Sequence, residues 1–459
     1  MKSILLCTLL LFCMVPKSHA QNDMTWRIGL SKSVITPETP MWMAGYAART
    51  TPATGVYHDL WAKVMVLEDQ SGKQLVLVTS DILGFPKKMS DRIRRKLLET
   101  YGWNPSQIIL NGSHTHSGPV LEEALYDIYP LDTEQLALVK SYSQWLEQRV
   151  LTLVEEAHQN LRPAKLSSAN GVARFQVNRR ENVERDIASK TALAGPIDHA
   201  VPVTKIEDQA GNLLAILFGY ACHPTVLDHY SWSGDYPGFA QIELEKLYPG
   251  TMAMFFQGAS GDQNPIPRRT LPLAKQYGKT LAAAVERVLE EEMQPMAATA
   301  KTAYAEIDLP FAPAPSQTEL TRMANEQSGY LKRWAERMLT EQTQGIQHPT
   351  SYPYPIQVWQ LGHQLIFNLG GEVTVAYANA LKQTFGQDSF VMAYSNDVMG
   401  YIPSEIILEE GGYEGYSSQM VYGLPSTWEK GIEERILTAI GQLAEEIDLR
   451  PLHLPTEGN

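Results

Sequence analysis

Apolar and polar residues follow two different periods along this chain, and the switches between them predict its elements. Short runs rich in β-branched and apolar residues read as strands at 63–68, 74–80, 107–110, 213–218, 252–256, 364–369 and 390–394. Apolar positions recurring every three to four residues read as helices at 89–101, 134–160, 240–247, 272–292, 320–341, 373–384 and 429–447. This alternation predicts an α/β fold, a mixed β-sheet core covered by helices. The proline-bearing stretch 292–315 reads as a connecting segment, so residues 21–459 are expected to form one large domain.

The first twenty residues stand apart. Met1-Lys2-Ser3 gives a positive start, 4–15 is an apolar run, and Ser18-His19-Ala20 is a small-x-small site. That is the pattern of a secretory signal peptide cleaved after Ala20, so the protein is expected to be exported, periplasmic or secreted. The apolar run falls short of the roughly 20 residues a spanning helix needs. No later run reaches that length without charges, so no transmembrane segment is expected. Cys7 and Cys13 would leave with the signal, and Cys222 alone cannot form an internal disulfide. Leu11, Phe12 and Met14 around Cys13 are not the small residues a lipoprotein site wants. A net charge of -13 argues against nucleic acid and anionic lipid as partners. It says nothing about oligomeric state.

Candidate chemistry gathers where the strand runs stop. Asp81, His114 with His116, His223, 258–264, Glu372 and Tyr401 each follow one. A row of polar positions at strand ends is the layout of a site at the carboxyl edge of an α/β sheet. In an extended segment His114 and His116 point to one side, which can put one imidazole on a metal and the other beside it. Glu372, after Gly370-Gly371, sits at an expected helix start, where the dipole keeps a carboxylate ionised. Imidazoles plus a carboxylate and an open position are the ligand set of catalytic zinc. The plain readings stand beside these: surface histidines, a helix-capping acid at Glu372, and turn chemistry for Asp81, Asp235 and Asp262. Cys222 and His223 are adjacent in a strand and point to opposite faces, so Cys222 reads as a small buried apolar residue. Tyr413, Tyr416 and Tyr422 lie in a glycine-bearing late segment, 409–422, which reads as loop packing or as a mobile lid lining a pocket.

Together these motifs resemble the neutral/alkaline non-lysosomal ceramidases, catalytic N-terminal domain. The resemblance runs through Ile28-Gly29, Met43-Ala44-Gly45-Tyr46-Ala47, His114-Thr115-His116-Ser117-Gly118-Pro119, Ser233-Gly234-Asp235, 258–265, Gly371-Glu372 and Ser395-Asn396 with Tyr401. It implies an amide-hydrolysing enzyme whose zinc is held by His114, His223, Glu372 and Tyr401, with His116 beside the metal. The substrate it implies is a small-molecule or lipid-like acylated compound. Two departures matter. Asn264 stands where the family carries an active-site serine, and the chain is expected to lack the family's C-terminal immunoglobulin-like domain.

The mechanism expected from these residues uses zinc-activated water. His116 or Asp235 would move the proton to the leaving nitrogen, and Asn264 with His116 would steady the oxyanion. Asp262, Tyr413 and Tyr416 are expected to bind substrate. Rival readings are an esterase or deacetylase of acylated sugars, a barrel of the amidohydrolase type, which also uses His-x-His, and an exported binding protein without turnover.

Overall fold

The computed structural model describes residues 25–124 and 127–452, so the signal-peptide expectation lies outside the described residues. A large sheet runs Met252–Gln257, Leu213–Tyr220, Ala200–Glu207, Arg162–Val172, Trp26–Val34, Trp61–Glu68, Gln74–Ser80 and Ile108–Gly112, with Gln294–Met296 also pairing to Arg162–Val172. The pairs at its two edges are parallel and those between them antiparallel. A smaller sheet runs Ala300–Pro310, Ser351–Leu361, Gln364–Leu369 and Phe390–Met392. This mixed topology replaces the barrel alternative.

Both faces of the large sheet are buried, which is why its strands read as almost unbroken apolar runs. Val64, Val66, Val76 and Val78 turn toward the helices Lys87–Tyr101 and Thr133–Gln159, meeting Ile93, Leu146 and Val150. Their neighbours Met65, Leu67, Leu75 and Leu77 turn the other way, onto Trp359, Ile366 and Met392 of the smaller sheet. At the far side Val203, Phe218 and Phe255 pack under Asp235–Leu247 and Leu271–Glu290. The outer face of the smaller sheet, with Val358 and Phe367, is covered by Val375–Phe385 and Ile432–Glu446. The layers are therefore helix, sheet, sheet, helix, and a side chain's place follows from its parity along the strand.

Two expectations need correction. The stretch 292–315 is not a connector, because it carries the strands Gln294–Met296 and Ala300–Pro310. Ala300–Pro310 is an edge strand with one half-exposed face, so its apolar alternation is weak and its terminal Pro310 is tolerated. The single helix expected at 320–341 is two, Gln317–Glu326 and Gly329–Thr343, and Gly329 adopts a φ of +61° at the break.

The carboxyl ends of the two edge strands of the large sheet come together. The Gln257 N–H donates to Asn111 Oδ1 at 3.0 Å, and the Asn111 amide reaches the Ala393 carbonyl at 2.7 Å. The sheet thus curls until its edges and the end of Phe390–Met392 meet at one place. Chain segments far apart in sequence leave their strands there.

One buried carboxyl in this region gives a pH prediction. Burial pushes Asp397 up to about 7, against the hydrogen bond from the Tyr352 hydroxyl at 2.7 Å, which favours the charge. In the unfolded chain it ionises near ~3.9. Between those values the folded state keeps a proton that the unfolded state has lost, so stability falls as pH rises through that window. Asp397→Asn is expected to flatten this fall. Melting curves from pH 4 to pH 8 check it, and parallel slopes for both proteins would refute it.

Candidate metal centre

At the end of Ile108–Gly112 the chain turns sharply. His114 takes φ +60°, a conformation costing roughly 1–3 kcal/mol for a residue with a side chain, and Tyr394 does the same at +53°. The His114 N–H is held by the Ile82 carbonyl at 3.0 Å. Its ring Nδ1 lies 2.7 Å from the Leu83 carbonyl, and His223 Nδ1 lies 2.8 Å from the Ser260 carbonyl. A carbonyl only accepts, so in both rings Nδ1 carries a proton, and a neutral ring held this way presents its Nε2 lone pair.

Those lone pairs converge on a carboxylate. Glu372 Oε2 lies 3.2 Å from His114 Nε2 and 3.0 Å from His223 Nε2, and all three side chains are buried. Oε2 has no hydrogen-bond donor among the described residues. Burial holds His223 down at about 4, so it is neutral near pH 7. Three buried acceptors facing one another without a donor repel unless a cation lies among them. The donor set, two imidazoles and a carboxylate, suits zinc, and the backbone carbonyls behind the rings fix the tautomers such a site needs.

The other expected residues fall into two groups. His116 Nε2 is 3.3 Å from His114 Nε2, and His116 Nδ1 is buried with no hydrogen-bond partner among the described residues. One ring nitrogen from each of His114, His116 and His223 lies within 4.8 Å of the other two. Tyr401 places its hydroxyl 3.5 Å from His223 Nε2. Burial pushes that phenol well above its usual range, while the neighbouring Arg179 works against the rise. Asn264 and Tyr413 border the adjoining cavity of about 700 Å³, together with His116 and Tyr401.

Asp235, Asp262 and Asp81 face backbone rather than the cluster. Asp235 accepts from the N–H groups of Leu227 at 2.8 Å and Tyr236 at 2.6 Å, which fixes the loop after His223. Asp262 accepts from the Val375 N–H at 2.8 Å, tying 258–264 to the helix that follows Glu372. Asp81 accepts from the Trp61 N–H at 3.0 Å. Tyr416 is about half exposed and does not line the cavity. Cys222 is fully buried, as expected, but it lies in the bend just beyond Leu213–Tyr220 and not within a strand.

Sequence reasoning missed Arg179 and grouped Tyr422 with Tyr413 and Tyr416 as loop packing, pocket lining or a surface that stacks on sugar. The Arg179 guanidinium reaches Glu414 Oε1 at 2.7 Å, Tyr401 Oη at 2.9 Å and Asn264 Oδ1 at 3.3 Å, so it braces the centre from the cavity side. Its signal was faint: one of two adjacent arginines just after the short strand Gln176–Asn178. Tyr422 donates to Glu372 Oε1 at 2.5 Å, so the segment expected to be a lid reaches a candidate ligand. Backbone approach is close here. A Cβ on Gly261 would lie 2.7 Å from the Glu372 carbonyl oxygen, and one on Gly45, at φ +102°, would strike the His116 ring at 2.4 Å.

The class defined here is an α/β fold whose curled sheet delivers imidazoles and a carboxylate to one buried candidate metal site. The family model for neutral/alkaline non-lysosomal ceramidase, N-terminal, matches residues 26–270, and the chain belongs to that family. It is similar to neutral ceramidase A of Dictyostelium discoideum, 27% identical over 54% of this chain and 37% of that protein. Neutral ceramidase 1 of Arabidopsis thaliana is 25% identical over 61% of this chain and 36% of that protein. The chain thus spans about a third of the length of these relatives. Among solved structures, a ceramidase complexed with C2 superposes with a TM-score of 0.70 at 18% identity, covering 95% of this chain and 78% of that one. The neutral ceramidase from Pseudomonas aeruginosa gives 0.68 at 18% identity, covering 92% and 75%. At that identity the likeness establishes the fold.

Proposed function

We propose that this chain is an exported, zinc-dependent hydrolase that cleaves an N-acyl amide. The observation that carries the reading is the meeting of the His114 and His223 Nε2 lone pairs on Glu372 Oε2, a buried point that calls for a cation. The names of its relatives, neutral ceramidases, support an amide as the bond cut. Export rests on the signal pattern of 1–20. No helix among the described residues is long and apolar enough to cross a membrane.

His114, His223, Glu372 and Tyr401 would hold the zinc. Bound there, the ion supplies a Lewis acid and a water whose pKa falls from 15.7 to about 7. His116 stands between this cluster and the cavity, and it is neutral because burial and the neighbouring imidazoles hold its pKa well below the usual range. It is the base in place to take a proton from the attacking water and return it to the leaving nitrogen. Asn264 has Oδ1 turned to Arg179, which leaves its amide nitrogen to donate to the developing oxyanion. An asparagine cannot serve as a hydroxyl nucleophile, so water is the attacking group. Asp235 contributes by holding the His223 loop.

The test is amine release from N-acyl amides and acid release from matched esters, before and after exhaustive chelation. Amide cleavage lost with the metal and restored by zinc is the expected result. Stoichiometric zinc with no turnover of any acyl compound would leave the binding-protein reading in its place.

A further inference from the structure

We propose that the amine half of the substrate, the part occupying the cavity beside the metal centre, is a polyhydroxylated, carbohydrate-like group and not an alkyl chain. This deepens the hydrolase reading above and rests on it, because His116, the base assigned to the leaving nitrogen, borders that cavity.

The argument is the chemistry of the walls. Arg179, Arg180, Arg268, Glu184, Glu410 and Glu414 line the space. Each is already in an ion pair: Arg179 with Glu414 at 2.7 Å, Arg180 with Glu410 at 2.7 Å and Glu414 at 2.9 Å, and Arg268 with Glu184 at 2.8 Å. The pairs cancel one another's charge and leave a dense set of fixed donors and acceptors. A hydrocarbon laid against them would strip water from the ion pairs and return no hydrogen bond, which is costly. A hydroxyl both donates and accepts, so a ring of hydroxyls can answer guanidinium N–H and carboxylate oxygen alike.

Three further features agree. Tyr46 and Tyr413 border the cavity and are part exposed, and their rings offer flat apolar surface to the C–H face of a sugar. Thr225 and Asn264 add neutral hydrogen-bonding groups on the same wall. Arg268 binds Glu184 through Nε and lies 3.5 Å from Thr225 Oγ1 through Nη1, while its Nη2 has no partner among the described residues. The molecule does own a largely apolar cavity, of about 620 Å³, with Leu83, Val120, Leu121, Val398, Met399 and Leu424 among its walls. Two of its walls, Leu83 and Tyr422, touch His114 and Glu372, and it shares no lining residue with the cavity beside His116. Aliphatic side chains are thus available to this fold in number, whereas the space next to His116 has them only at Val183 and Ile266.

Calorimetric titration of the zinc-loaded full chain with glucosamine and with monomeric dodecylamine tests this. Kinetics on N-acetylglucosamine and N-acetyldodecylamine run alongside. Saturable binding of the amino sugar, none of the alkylamine, and preferential cleavage of the sugar amide are expected. Arg268→Met should weaken sugar binding and raise KM about tenfold, with a smaller effect on kcat. Glu184→Gln serves the same purpose if that variant fails to fold. Cleavage of the alkyl amide with no binding of the amino sugar would overturn the assignment and leave the hydrolase reading intact. Sugar binding without any turnover would support the cavity assignment and sink the hydrolase reading instead. Unchanged sugar affinity in both folded variants would also overturn it.

Discussion

His223→Ala is expected to purify with less than about a tenth of a zinc ion per chain and to hydrolyse its substrate at least about a thousandfold more slowly. A Lewis acid worth several kcal/mol accounts for that factor at about 1.4 kcal/mol per decade. The variant removes one of two imidazoles that meet Glu372 Oε2, at 3.0 Å, and leaves that oxygen facing His114 alone. Glu372→Gln is the companion change, since it keeps the shape and removes the charge. Elemental analysis of wild type and both variants reads the first effect, and initial rates read the second. Wild type should also lose thermal stability on chelation, because an ion at a thousandfold excess over its dissociation constant adds about 4 kcal/mol to the folded state. Equal metal content in all three proteins would end the ligand assignment.

Arg179→Met should be nearly as damaging, for a different reason. The guanidinium joins three groups that arrive from separate segments: Glu414, Tyr401 and Asn264. Removing it strands the buried Glu414 carboxylate, and breaking a buried pair costs about 3–5 kcal/mol. Glu414 keeps Arg180 at 2.9 Å, so the lower end of that range is expected. Tyr401 and Asn264 lose their common brace, and a loss of about 10²–10³ in kcat follows if Asn264 then fails the oxyanion. Arg179→Lys should recover stability more than activity, since a lysine restores the charge without the planar fork. Thermal melts with kcat for the two variants separate these effects. A methionine variant as stable and as active as wild type would show that Arg179 braces nothing.

The aromatic segment 409–422 takes on a more definite role than loop packing. Arg180 grips it at the Gly411 carbonyl, Glu410 and Glu414, and its far end puts Tyr422 on Glu372. Tyr413 from the same segment sits edge-on to Tyr401 with ring centroids 5.4 Å apart. Tyr416, three residues on, is about half exposed and does not line the cavity. Two tyrosines with the same sequence context thus differ entirely in what they touch.

Much of this molecule was legible before any coordinates. Strands buried on both faces declare themselves as short apolar runs, and 74–80 and 364–369 agree to the residue with Gln74–Ser80 and Gln364–Leu369. Amphipathic helices do so by their period, as at Thr133–Gln159. The separated motifs around His114, His223, Glu372 and Tyr401 were enough to suggest the family and a shared metal. Strands such as Trp26–Val34 and Arg162–Val172 were not visible, because half-exposed positions and residues such as Lys32, Asn170 and Gly171 blur the apolar run. They exist because neighbours distant in the chain supply their hydrogen bonds, Trp26 opposite Ala164 for example.

What sequence alone determined, then, is local: which stretches are strand or helix, and which residue types wait at their ends. What only the tertiary structure decided is which of those ends meet. The curl of the large sheet joins its edges at Asn111 and Gln257, and that closure sets His114 beside His223 and both against Glu372. It also turned Asp235 and Asp262 away to backbone amides and brought Arg179 in. The physical reason is range. Propensity and periodicity act over a few residues, whereas the encounter of lone pairs, carboxylates and guanidinium groups depends on packing among segments hundreds of residues apart.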